Sequence, residues 1–132
     1  MATVTTKLTI TSQDLVSNAL SIALTTKATV AHTTGLARAP ITSTLKATAS
    51  GQVTLYTAND FSSGAYMFIK NTDVTALDYI YIYADTAADD PILLKLAGGE
   101  FAFLPMSSDT TLKAYTATSG TIVEWMVFGT DA

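Results

Sequence analysis

"GGEFAFLP", residues 98–105, decides which kind of protein this is. Glycines that close a strand and open a helix can cradle a phosphate, because the helix N-terminus supplies free amides and a positive dipole end. Here the glycines lead into Phe101, Phe103 and Pro105 on one parity, with Ala102 and Leu104 on the other. Alternation with a period of two marks a strand, and the Glu100 carboxylate repels a phosphate. Gly98–Gly99 is therefore predicted to be a turn joining two strands.

The same period runs outward in both directions. Towards the C-terminus, "TIVEWMVFG" (121–129) places Ile122, Glu124, Met126 and Phe128 on one face and Val123, Trp125 and Val127 on the other. Towards the N-terminus, "PILLKLA" (91–97) is a strand with a proline at its first position, where proline is tolerated. "LDYIYIYA" (77–84) sets Ile80 and Ile82 against Tyr79, Tyr81 and Tyr83, and "AYMFIKN" (65–71) sets Tyr66 and Phe68 against Met67 and Ile69. Residues 44–49 and 52–58 read as two strands about a turn at Ser50–Gly51. Val4, Leu8 and Ile10 share a face near the N-terminus, as do Ile22, Leu24, Ala28 and Val30. Residues 12–20 form the one helix candidate, with Ser12 as its cap. "AHTTGLARAP" (31–40) reads as a long connection, interrupted by Gly35 and Pro40. Eight or nine short strands at this spacing predict an antiparallel sandwich or barrel.

Composition agrees. The chain has 132 residues and about two dozen threonines, a β-branched residue suited to a pleated surface. Its length fits one domain, 1–132. Charged residues make up 14%, against about 25% in ordinary soluble domains. A surface so poor in charge packs tightly or hides against partners. Net charge is −4, and seven scattered basic residues form no phosphate-binding stripe, so no nucleic-acid partner is expected. Cysteine is absent, which excludes disulfides and thiolate chemistry. The N-terminus shows no leader pattern and no apolar run reaches membrane-spanning length, so a soluble chain with no membrane partner is expected.

No catalytic constellation is legible. His32, the single histidine, has no identifiable acid or nucleophile partner and reads as a loop residue. Asp85, Asp89 and Asp90 lack the regular oxygen spacing and glycine turn of a calcium loop and read as solvated loop acids. Glu124 has no second carboxylate assigned to it and reads as a contact residue. No enzyme activity, cofactor or metal is expected. The tyrosine row Tyr79, Tyr81, Tyr83 admits three readings: inter-sheet packing, a protein interface, or a stacking platform for sugar rings. The last strand and "YMFI" are apolar on both faces, whereas a two-layer sandwich keeps one face of each sheet wet. Another subunit is therefore expected over one sheet, with Ile122, Glu124, Met126 and Phe128 as contact candidates.

Taken together, "YMFIKNTD" (66–73), "YIYIYAD" (79–85), "ILLKLAGGEFAFLP" (92–105) and "LKAYTATSGTIVEWMVFG" (112–129) resemble the small jelly-roll-like virion structural proteins of tailed bacteriophages. These include capsid decoration (cement) proteins and tail-associated components. The likeness lies in a strand ending in an asparagine turn, an aliphatic strand entering Gly-Gly-Glu, and a Ser-Gly-Thr hairpin before an apolar strand. It covers residues 65–129 and carries over no binding residue. It implies a jelly-roll-like antiparallel β-sandwich of about eight strands, assembled in the host cytoplasm into a virion. The implied role is a cement protein, frequently a homotrimer, that stabilises the head through contacts with capsid proteins. A tail or fibre component and a carbohydrate-binding module using Tyr79, Tyr81 and Tyr83 are the alternatives. Residues 1–11 are then either an ordinary first strand or an arm that adds a strand to a neighbour's sheet edge.

Overall fold

The computed structural model describes residues 2–13, 20–30, 32–46, 50–62, 64–86 and 89–129. These form an all-β protein of antiparallel strands: β1 (Ala2–Ser12), β2 (Leu20–Val30), β3 (His32–Thr33), β4 (Ala37–Ile41), β5 (Val53–Tyr56), β6 (Ala65–Asn71), β7 (Ile80–Ala84), β8 (Ile92–Leu96), β9 (Phe101–Met106), β10 (Leu112–Thr116) and β11 (Thr121–Gly129). One sheet has the order β5-β10-β7-β8; another has β3-β11-β6-β9, with β4 also paired to β11. β1 and β2 form a separate two-stranded ribbon.

From β4 onward the chain alternates between the two sheets, apart from the direct β7–β8 step. Side chains of one parity therefore converge on a shared core. The five-stranded sheet contributes Ile41, Met67, Ile69, Val123 and Val127; the four-stranded sheet contributes Leu55, Ile80, Ile82, Leu112 and Ala114. Trp125 fastens the layers, because its indole Nε1–H donates to the Leu55 carbonyl at 3.0 Å. A partly buried indole is satisfied by such an acceptor, and this one lies on the opposite sheet.

The quoted stretch is a turn at Gly98–Gly99 that leads into β9. Gly99 has φ 82°, in the left-handed region that glycine enters without cost. At Gly98 a Cβ atom would stand 2.3 Å from the Thr75 carbonyl oxygen, so only glycine fits there. Glu100 caps the turn by accepting the Ala97 N–H at 2.8 Å. The turn is also latched to β6: Gly99 N–H donates to Asn71 O, and Asn71 N–H donates to Glu100 O.

Asn71 is fully buried, and its side chain is the junction of this corner. Its Nδ2 donates to the carbonyls of Asp78 at 2.6 Å and Leu96 at 3.1 Å. Its Oδ1 accepts the Asp73 N–H at 3.0 Å. One amide thus satisfies three backbone groups from three segments, which explains why β6 stops where it does.

Three expectations change. Residues 31–40 are more than a connection, since they carry β3 and β4, and the His32 backbone pairs with Gly129. Pro40 sits within β4, an edge strand paired only with β11, and its nitrogen faces the unpaired side, since the Ile122 carbonyl opposite it turns away to Thr72. Residues 44–46 are not strand, and 47–49 lie outside the described residues. Of the helix expected over 12–20, Ser12 ends β1 and Leu20 opens β2, while residues 14–19 lie outside the described residues.

Replacing Asn71 with alanine strands two carbonyls and one N–H in a buried corner. We expect Asn71→Ala to lose about 1–3 kcal/mol of unfolding free energy. Urea denaturation followed by Trp125 fluorescence measures it, and a loss near zero contradicts the junction role.

Candidate assembly surface

The two sheets differ in what they show on their outer faces. On the four-stranded sheet, Tyr81 pairs in register with Tyr115 on one side and Lys95 on the other. The Tyr81 and Tyr115 rings stack at 4.8 Å with planes 13° apart. Lys95 Nζ lies 3.8 Å from the Tyr79 ring centroid and 5.7 Å from that of Tyr81, a cation–π arrangement. Tyr83 keeps the face of the row, opposite Lys113 in register, but it is buried there and meets Tyr115 edge-on at 6.0 Å. A bulge between Ile82 and Tyr83 interrupts their pairing with β8.

A sugar platform needs open ring faces. Tyr115 takes a face of Tyr81, the Lys95 ammonium sits over Tyr79, and Tyr83 is buried edge-on to Tyr115. The tyrosines and lysine therefore saturate one another. Beside them Lys113 binds Asp85 at 2.6 Å, and this hydrogen bond raises the lysine pKa. Burial raises the pKa of Tyr115, and the nearby Tyr81 adds to the effect.

The loop acids are likewise engaged. Asp90 Oδ1 accepts the Thr86 N–H at 2.9 Å, and Lys46 Nζ donates to the backbone carbonyls of Asp89 and Asp90. These contacts tie Thr86 to Asp90 and Lys46 to Asp89 and Asp90.

The outer face of the five-stranded sheet is built differently. Rows across it read Phe128–Tyr66–Pro105, then Met126–Phe68–Phe103, then Glu124–Lys70–Phe101, with Arg38 beside Glu124. Two rows of three are wholly apolar or aromatic. Tyr66, Phe103 and Phe128 form a mutual stack, with centroids 5.9–6.1 Å apart. Phe128 is buried, Tyr66, Phe68, Phe103 and Met126 are half-buried, and Phe101 is exposed. Glu124 lies in register between the cations Arg38 and Lys70. This is the environment of a charged rim, and no second carboxylate stands in either register position beside it.

The ribbon β1–β2 borders this face. Between them lies a cleft of about 720 Å³, lined on the ribbon by Thr6, Leu8, Leu24, Thr26 and Ala28 and on the sheet by Tyr66, Phe101, Phe103 and Pro105. Lys7 and Lys27 also border it. The site therefore joins Met126 and Phe128, expected from parity, to a ribbon that strand-by-strand reading does not assemble. Phe101 and Phe103 escape such a reading because the turn at Gly98–Gly99 draws attention to their backbone. β6 and β11 were read as apolar on both parities; the missed signal is that β9 shares the pattern.

Tyr115 supplies a test of the saturated face. Its neutral form is favoured in the fold, so its contribution to stability is complete below the ordinary tyrosine pKa of about 10 and disappears as pH rises through its raised value. Spectrophotometric titration is expected to show a late-ionising tyrosine that Tyr115→Phe removes; an unaltered curve contradicts the stack. No known family model, curated protein or solved structure matches the chain, so the roles of these faces follow from their own geometry.

Proposed function

We propose that the chain is a non-catalytic structural protein of a bacteriophage virion, and specifically a capsid decoration protein that reinforces the head by multivalent protein contacts. The observation that carries this reading is the aromatic outer face of the five-stranded sheet. An apolar layer on the wet side of a sheet is the mark of a surface made to be covered. Decoration requires no chemistry, only many identical contacts whose effective concentration on a lattice multiplies modest affinities.

The strand order favours a jelly roll for β4–β11. The orders β4-β11-β6-β9 and β5-β10-β7-β8 are those of two interleaved four-stranded sheets, with the ribbon as an addition before the roll. This agrees with the resemblance noted for residues 65–129. A homotrimer fits the same surfaces, since rotational symmetry buries one apolar patch per copy without leaving another exposed. A tail or fibre component uses the same surfaces and differs only in its place on the particle. The sugar-binding reading receives no support from the saturated tyrosines.

Localisation tests the proposal. Purified particles examined by electron cryomicroscopy are expected to show this chain as density on the outside of the shell, and particles lacking it to open at lower temperature. Absence of the chain from particles overturns the virion reading. Density confined to the tail moves it to the runner-up.

A further inference from the structure

The ribbon is the least explained part of the molecule. β1 and β2 pair along their whole length, from Ala2 opposite Val30 to Ser12 opposite Leu20, and neither pairs with a strand of the two sheets. A free two-stranded ribbon is marginal in water at best. Its parity gives one face of threonines and lysines and one apolar face. At about 3.4 Å per residue, the ribbon reaches roughly 34 Å from Val30 to Leu20.

Exposure along that apolar face is uneven. Val30, at the base, is buried. Towards the tip, Leu8 is 45% exposed, Ile10 43%, Ile22 37% and Leu24 58%. Four large aliphatic side chains in one stripe are thus only partly covered by the chain's own body, Leu8 and Leu24 among them although they line the cleft. Facing them across the cleft, Phe101 is 63% exposed. Both walls of the cleft therefore keep apolar surface that their present neighbours do not cover.

Charge selects the occupant. β1 and β2 carry Lys7 and Lys27 and no acid, whereas of the chain's 11 acidic residues Asp14 alone precedes Asp60. The ribbon is cationic and the body acidic, so the body of a second copy attracts it. A head-to-tail contact of this kind closes into a ring in which each copy gives one ribbon and receives one.

We propose that the distal half of β1–β2 is an exchange arm, whose stripe Leu8, Ile10, Ile22 and Leu24 seats on the Phe101, Phe103 and Pro105 wall of a second copy. This rests on the reading of the chain as a self-assembling structural protein. It differs from strand addition at a sheet edge, because the arm docks through its face and keeps its own strand pairing.

The absence of cysteine makes the test clean. Chains carrying only Leu24→Cys are co-expressed with differently sized chains carrying only Phe101→Cys. Any disulfide between the two kinds must join two copies. The expected result is mixed dimers forming at least about tenfold faster than with the exposed control Val74→Cys in place of Phe101→Cys, reflecting a raised effective concentration. In a second arm, Ile22→Asp with Leu24→Asp is expected to reduce the mass by light scattering to one chain while the melting of the β4–β11 core persists. An oligomer that survives both aspartates, or mixed dimers no faster than the control, overturns the arm and leaves self-assembly standing. A wild-type chain that stays monomeric at high concentration overturns the self-assembly beneath it.

Discussion

Strand β11 is apolar on both of its faces and lies within the five-stranded sheet, and every larger feature answers to that. Its inner side chains, Val123, Trp125 and Val127, face the four-stranded sheet. Its outer side chains, Ile122, Met126 and Phe128, need a second cover. Burying a side chain of this class is worth about 1.5–3 kcal/mol relative to leaving it in water. Three such residues on the outer face, joined by Tyr66, Phe68 and Phe103, form a demand too large for isolated surface residues. Phe128 has its cover, Met126, Phe68 and Phe103 have part of theirs, and Phe101 is exposed.

The opposite surface shows how the same ingredients behave when they are complete. Tyr79, Tyr81 and Tyr115 are aromatic and outward, yet Tyr81 stacks on Tyr115, Tyr79 tilts against Tyr81, and Lys95 lies over Tyr79. Their phenol tips and the adjacent Lys113–Asp85 pair suit water. Tyrosine tolerates a wet face where phenylalanine and methionine do not, since it carries its own polar end. The molecule is therefore two-sided, with one surface closed on itself and one that ends in exposed carbon.

Rigidity at the corners keeps that contrast fixed. The Asn71 amide ties β6, the segment at Asp78 and the end of β8 together. The Gly98–Gly99 turn, where Gly98 lies too close to Thr75 for any side chain, then delivers Phe101 and Phe103 in register beside Lys70 and Phe68. Tyr56 closes another end, its hydroxyl donating to the Ser108 carbonyl while accepting the Phe61 N–H. Each junction uses a polar group buried with its partners satisfied, the condition under which burial of polarity stabilises. The aromatic surface is thus held by the core behind it.

Much of this was legible in the residues alone. The alternation in 65–71, 80–84 and 121–129 assigned each side chain to its face, and the structure keeps Val123, Trp125 and Val127 inside and Ile122, Met126 and Phe128 outside. The turn at Gly98–Gly99 was equally plain. The 31–40 stretch misled because glycine and proline outweighed the short alternation in Ala37–Ile41, and proline at a sheet edge costs no hydrogen bond. Tyr83 keeps the face that parity gave it, and only its burial there, edge-on to Tyr115, lay beyond the alternation. By itself, then, the sequence determined which side of each strand is apolar, since side-chain direction is a local property of the pleat. Only the tertiary structure decided which strands share a sheet, that β1–β2 stands as a ribbon, and that phenylalanines from β9 and β11 gather with Tyr66 of β6. Strand partnership is a contest among distant edges, and its outcome is carried by the whole core at once.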